Sequence, residues 1–374
     1  MIPRHLDFFE HFIPAHTVDF TAGNEVKARE DITSRFLATY PIADIGFEFV
    51  VFPRKLGPRD INTQVQNFHD MRGRLEAKHR VKVHASMHFP TENNNTGLFL
   101  GAQDAGTRIK VLDLFDRCVE LAMAAGIQTI VIHSGANINH ATWARIKDDY
   151  NAKRLQLRVI AERLREMLDK CAERGYKGAL AWENVPWPFD IPDALSYTNI
   201  VAGDFKAVLS DLDKMGIPNV DQLGICVDLC HSWIVERVAG VYARGELHPD
   251  RARVPPGIFP EEEQDFLNLA DMNAFIAPFA SRIYHVHLAD SAGDFIPAAD
   301  GVTCKRQPSE GAELGTGDFS RSPAFSSVLG KIAAGLRPGK KVICTLEVKD
   351  TDFSRPDKAY RSLLFLGKSF FHER

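Results

Sequence analysis

Eight short apolar, β-rich runs alternate with long amphipathic stretches along this chain, and that alternation restricts it to a parallel α/β architecture. The runs are His16–Ala22, Ile42–Val51, Val81–Met87, Thr129–Gly135, Ala179–Val185, Leu223–Cys230, Arg282–Ala289 and Lys341–Val348. Helical patterns fall between and after them, at 25–39, 60–79, 105–126, 150–174, 203–215, 262–280, 322–335 and 356–372. In RLQLRVIAERLREMLDKCAERG the apolar residues recur at helical spacing, and Gly175 supplies a C-cap. Eight strand–helix pairs in 374 residues predict a closed (β/α)8 barrel, with an open doubly wound sheet as the alternative. No Pro/Gly/Ser linker or low-complexity segment divides the chain, so 1–374 reads as a single domain. Long connections at 136–149, 232–261 and 290–321 follow strands, and so fall on the C-terminal face where such barrels build active sites. The middle connection carries RVPPGIFPEEE, the sort of segment that forms a lid or a subunit contact.

The bulk numbers exclude several classes. Hydrophobic residues at 45% and charged residues at 25% are ordinary for a globular protein able to bury a core. A formal net charge of −4 argues against nucleic acid as a partner. The opening residues MIPRHLDFFEHF lack the apolar core of a signal peptide, and no apolar run approaches the ~20 residues that cross a bilayer. A soluble, cytoplasmic protein without membrane contact is expected. Its six cysteines then read as buried, reduced side chains.

The informative pattern is where imidazoles and carboxylates fall. Six of the 14 histidines (His84, His88, His133, His231, His285, His287) lie at or near the ends of predicted strands, as do Glu183, Asp228 and Glu347. Strand ends converge in a barrel, so residues distant in sequence become neighbours there. ALAWENVP carries Glu183 within small and apolar residues, where an unpaired carboxylate is costly. ICVDLCH puts His231 three residues after Asp228, IYHVHLADS puts His285 and His287 on one strand face, and VICTLEV ends on Glu347. Several carboxylates plus imidazoles suit a divalent ion such as Mn, Zn, Co or Fe. The competing reading is a buried salt-bridge network without metal, and no strand end offers it an obvious Lys or Arg.

WENVP, CVDLCH, HVHLADS and TLEV, in this order, resemble the xylose isomerase-like TIM barrel superfamily, which includes sugar isomerases and epimerases, inosose dehydratases and the endonuclease IV type of abasic-site nuclease. The resemblance runs from about residue 80 to 350. In the epimerases a Glu, Asp, His, Glu set holds one divalent ion, which implicates Glu183, Asp228, His287 and Glu347. The two glutamates then serve as general base and acid, and His231 as a substrate contact. The activity implied is isomerisation or epimerisation, or a related dehydration, of a small sugar, polyol or sugar phosphate through an enediolate. VKVHAS and IVIHSGA resemble nuclease segments that bind an additional zinc, which would add His84, His133 and a second ion for phosphodiester hydrolysis. The nuclease Asp-Arg-His triplet before a Gly-x-Gly turn is absent, since Ser309, Glu310 and Gly311 precede Gly315–Gly317. The epimerase arginine six residues beyond the metal histidine is also absent, because Gly293 stands there.

Glu48, in GFEFV, and Trp187, just past a strand end, are candidate substrate contacts, with local pairing or core packing as the alternatives. LGTGDF is a lone glycine turn, too little by itself for a phosphate cradle. Relatives of this barrel type often pair through the barrel rim, so a homo-oligomer is one assembly the resemblance allows, although the sequence itself does not fix the oligomeric state.

Overall fold

The computed structural model describes residues 7–90, 92–93, 96–133, 137–138, 149–186, 195–196, 198–243, 271–293, 296–297, 304–306, 309–350 and 352–371. Eight parallel strands close into a barrel: β1 (Phe12–Val18), β2 (Asp44–Val50), β3 (Lys82–His88), β4 (Thr129–Ile132), β5 (Ala179–Glu183), β6 (Leu223–Asp228), β7 (Ile283–Leu288) and β8 (Val342–Leu346). Closure joins β1 to β8 through Phe12↔Val342 to His16↔Leu346. Each strand is followed by a helix: α1 (Gly23–Thr39), α2 (Pro58–His79), α3 (Ala105–Ala125), α4 (Tyr150–Arg174), α5 (Ala202–Lys214), α6 (Leu229–Ala243), α7 (Pro323–Gly335) and α8 (Asp357–Phe370). The expected (β/α)8 TIM barrel is therefore the fold.

The strands are buried on both faces, as parallel strands beneath helices must be, and so read as continuous apolar runs. Outward side chains meet the helices, as where Trp182 of β5 packs on Phe205 of α5 with ring centroids 4.5 Å apart. Inward side chains form layers, with Ile13, Ala15 and Ile343 in one and Val131, Ala181 and Cys226 in another. Cys118, Cys171, Cys226, Cys230 and Cys344 are free and buried, as expected. No helix among the described residues is long and apolar enough to cross a membrane.

Two boundaries depart from the sequence reading. The first strand starts at Phe12 rather than His16 and includes Pro14, a residue whose missing N–H argues against a strand. The second departure concerns 232–261, expected to be a long connection. Its first part is α6, which follows β6 directly. LCHSWIVERVAGVYA is buried along most of its length, so no 3.6-residue stripe of polar and apolar residues marks it as a helix. The RVPPGIFPEEE segment and Trp187 lie outside the described residues.

After β7 the chain forms a small antiparallel pair, Asp290–Ala292 with Ser309–Ala312. The fully buried Asp290 anchors it. Its Oδ1 accepts from Ser291 N at 2.9 Å and Ser320 N at 3.0 Å. Its Oδ2 accepts from Gly315 N at 3.1 Å, Gly317 N at 2.8 Å and the Ser320 hydroxyl. The glycine turn LGTGDF therefore cradles an anion that the chain itself supplies.

Candidate metal centre

The C-terminal strand ends bring four predicted residues together. Glu183 closes β5, Asp228 closes β6, His287 is the penultimate residue of β7, and Glu347 follows β8. One donor atom from each of these four lies within 4.8 Å of the others. His287 sits at the hub: its Nδ1 donates to Glu183 Oε1 at 2.9 Å and lies 3.5 Å from Glu347 Oε1. Its Nε2 donates to Glu48 Oε2 at 3.2 Å.

Glu48 lies in β2 and is fully buried. Besides His287, its Oε2 accepts from Ser86 Oγ at 3.2 Å and Thr345 Oγ1 at 3.3 Å, and it pairs with His285 Nε2 at 2.9 Å. The carboxylate thus grips the far nitrogen of the hub imidazole from below. His285 bonds deeper in the barrel, with Nε2 also 3.0 Å from Thr345 Oγ1.

His231, in the first turn of α6, is oriented by the segment after β5. Its Nδ1 donates to Asn184 O at 2.8 Å, and its backbone N–H donates to Asp228 Oδ1 at 2.8 Å. Asn184 also accepts from Asp228 N at 2.8 Å through its side-chain oxygen. Asn199, at φ 54°, donates to Glu183 O at 2.7 Å and His133 O at 3.2 Å. Neither asparagine was picked out from the sequence, although the N of WENVP follows Glu183 directly. His133 shares a second cluster with Glu183 and His231 whose donor atoms also converge within 4.8 Å. His88, at the end of β3, places Nε2 3.4 Å from Glu183 Oε2.

His84 does not join these residues. It is the third residue of β3, near the N-terminal pole of the barrel, where its ring bonds Asp44 Oδ1 at 2.8 Å and Gln128 Oε1 at 3.1 Å. It lines an open cavity of about 1010 Å³ on that face, beside Lys82, Lys177 and Lys340. The sequence motif around His84 resembled a zinc-binding segment, but the strand continues to His88, roughly 13 Å further along at ~3.3 Å per residue.

The electrostatics are those of a crowded anionic pocket. Burial alone would raise the Glu183 carboxyl, but the His287 and His133 charges hold it well below the ordinary carboxylate range. Burial raises Glu347 to about 7 against the opposing charge of His287, with Glu183 reinforcing the rise. Asp228 is also raised by burial. Burial would lower the histidines, yet the surrounding carboxylates take His88 to about 9 and His231 to about 10 and push His287 well above its ordinary value. His133, where burial prevails, falls to about 4.

These residues fit a divalent cation. Glu183 Oε2 and Glu48 Oε1 are buried without a hydrogen-bond partner, and three oxygen donors and one nitrogen converge on one point. Hard oxygens with a single imidazole suit Mn, Co, Fe or Zn.

A family model described as a xylose isomerase-like TIM barrel matches residues 40–368. The chain belongs to that family. It is an enzyme of the xylose isomerase-like group whose subclass the comparisons leave open. Among solved structures it is similar to a D-tagatose 3-epimerase-like protein, at 16% identity and TM-score 0.54 over 96% of this chain and 97% of that one. An L-ribulose 3-epimerase matches at 13% identity and TM-score 0.54, covering 96% of this chain and 94% of the other. The D-allulose 3-epimerase from Methylomonas sp., solved with D-allulose, matches at 12% identity and TM-score 0.53 over 98% of both chains. At these identities the likeness is one of fold. No curated protein matches the chain.

Proposed function

We propose that this chain is a single-domain, cytoplasmic, divalent-metal-dependent isomerase or epimerase of a small keto-sugar or related polyol. The observation that carries the reading is the convergence of Glu183, Asp228, His287 and Glu347 at one point on the C-terminal face. These four would hold the ion, which when bound supplies the positive charge that stabilises an enediolate. Glu183 and Glu347 come from strands three apart around the barrel, which suits them to exchange a proton with carbon on either side of a substrate. One would remove it and the other return it. His231 presents Nε2 to the pocket because Nδ1 is committed to Asn184 O, so it can donate to a substrate oxygen. Glu48 acts through His287: by accepting from Nε2 it fixes which ring nitrogen faces the carboxylates, a carboxylate–histidine arrangement common at metal sites. That is a positioning role, in place of the substrate contact expected from sequence.

Similar epimerase folds support this reading, as do the buried carboxylates of the cluster, which pair with no lysine or arginine among the described residues. The phosphodiesterase alternative loses His84, which is bonded at the opposite pole, and the β3 histidine that reaches the site is His88 instead. The test is metal removal. Chelation should abolish interconversion of ketohexoses such as D-allulose and D-fructose, and Mn or Co should restore it at about one ion per chain. Full activity in the chelated, metal-free enzyme would overturn the proposal.

A further inference from the structure

The strand Ser309–Ala312 lies across the mouth of the barrel, and its position there is tightly set. Lys349 N donates to Gly311 O at 2.9 Å, joining this strand to the segment that follows β8. Gly311 has φ 74°, and a Cβ on it would stand 2.7 Å from Lys349 Cγ and 3.2 Å from Glu347 O. Only glycine lets the two backbones lie so close. The preceding residue, Glu310, is thereby carried onto the site. Its Oε1 is 3.7 Å from His231 Nε2 and 3.0 Å from Lys349 Nζ. The epimerase motifs assign this position no role, and in the nuclease pattern it stands where the triplet has arginine, a residue of opposite charge.

The gap between Glu310 and His231 is too long for a good direct hydrogen bond. A substrate hydroxyl seated beside the pair can accept from the imidazole and donate to the carboxylate. Resting on the keto-sugar reading above, we infer that Glu310 is a substrate-binding residue that grips a sugar hydroxyl with His231. The same carboxylate makes the site select uncharged keto-sugars over their phosphates. A hydroxyl can donate to a carboxylate and a phosphate dianion cannot. Among the described residues, the one lysine or arginine ion-paired with this cluster is Lys349, and Glu310 occupies it. The nearby glycine turn could otherwise have received a phosphate, but Gly315 and Gly317 direct their N–H groups to Asp290. Among the described residues, both of the usual phosphate receptors near this cluster, a cation and a nest of amides, are therefore engaged by the protein's own carboxylates.

The test uses the Mn-loaded full chain with D-allulose, D-fructose and D-tagatose, and with D-fructose 6-phosphate as the charged probe. Wild-type enzyme should turn over at least one uncharged ketohexose with kcat/KM about tenfold or more above the phosphate. Glu310→Gln should raise KM for that sugar about tenfold, the loss expected for one hydrogen bond to a charged group, with kcat and bound Mn nearly unchanged. Glu310→Lys should narrow or invert the preference over the phosphate. A wild-type preference for the phosphate would overturn the inference without any variant, and so would an unchanged KM in a folded, Mn-loaded Glu310→Gln protein. Absence of turnover with every sugar by the wild type would instead overturn the functional reading, and this inference with it.

Discussion

Glu183→Gln should lower kcat for ketohexose interconversion by about 10³-fold or more, and weaken metal binding by roughly 10- to 100-fold. The substitution keeps the shape of the side chain and removes only its charge and basicity. Glu183 is fully buried, and its Oε1 is engaged by His287 while its Oε2 has only the distant His88 Nε2, at 3.4 Å, beside it. A neutral amide in that place cannot take a proton from carbon, and its uncharged oxygen is a weaker donor to a divalent ion. Steady-state kinetics together with metal analysis of the purified variant would check both effects. The salt-bridge reading predicts something else. If the cluster served only to hold strands together, Glu183→Gln would lower the melting temperature and change no metal content.

The second large effect lies away from the chemistry. Asp290→Ala should destabilise the protein by about 3 kcal/mol or more, because it leaves several buried donors without an acceptor. Ser291 N, Ser320 N, Gly315 N and Gly317 N all donate to that carboxylate. Asp290→Asn keeps one acceptor oxygen and should cost less, so the order of stability in equilibrium denaturation should be wild type, Asn, Ala. The same substitution should loosen the pairing of Asp290–Ala292 with Ser309–Ala312, which carries Glu310. Kinetic damage would then appear as a raised KM before the protein unfolds. Equal stability of all three forms would mean that the cradle contributes nothing.

Much of this was legible in the sequence, for a simple reason. In a parallel barrel each strand is apolar on both faces, so a lone ionisable residue at its end stands out, as Glu183 does in ALAWENVP and Asp228 in ICVDLCH. The barrel topology then gathers such ends into one place, and the four-residue cluster follows. Where pattern failed, the cause was also physical. His84 and His88 sit on the same strand face, and only the extent of β3 decides that His88 is at the active pole and His84 at the other. α6 is wrapped by other elements and lacks the polar stripe that betrays a helix. Glu310, Asn184 and Asn199 act through contacts between segments distant in sequence, which no local spacing encodes. Glu48 was noticed for its place at a strand end, but its bond to His287 depends on closure of the barrel.

The most direct test of the proposed chemistry is solvent exchange. Metal-loaded enzyme would be incubated with D-allulose, D-fructose and D-tagatose in deuterated water, and the recovered sugars examined by proton NMR and mass spectrometry. Deuterium bound to carbon next to the carbonyl is expected in at least one of them, lost on chelation and absent with Glu183→Gln. No exchange with any sugar, accompanied by metal-dependent nicking of abasic DNA, would contradict the enolising mechanism and return the site to the phosphodiesterase reading.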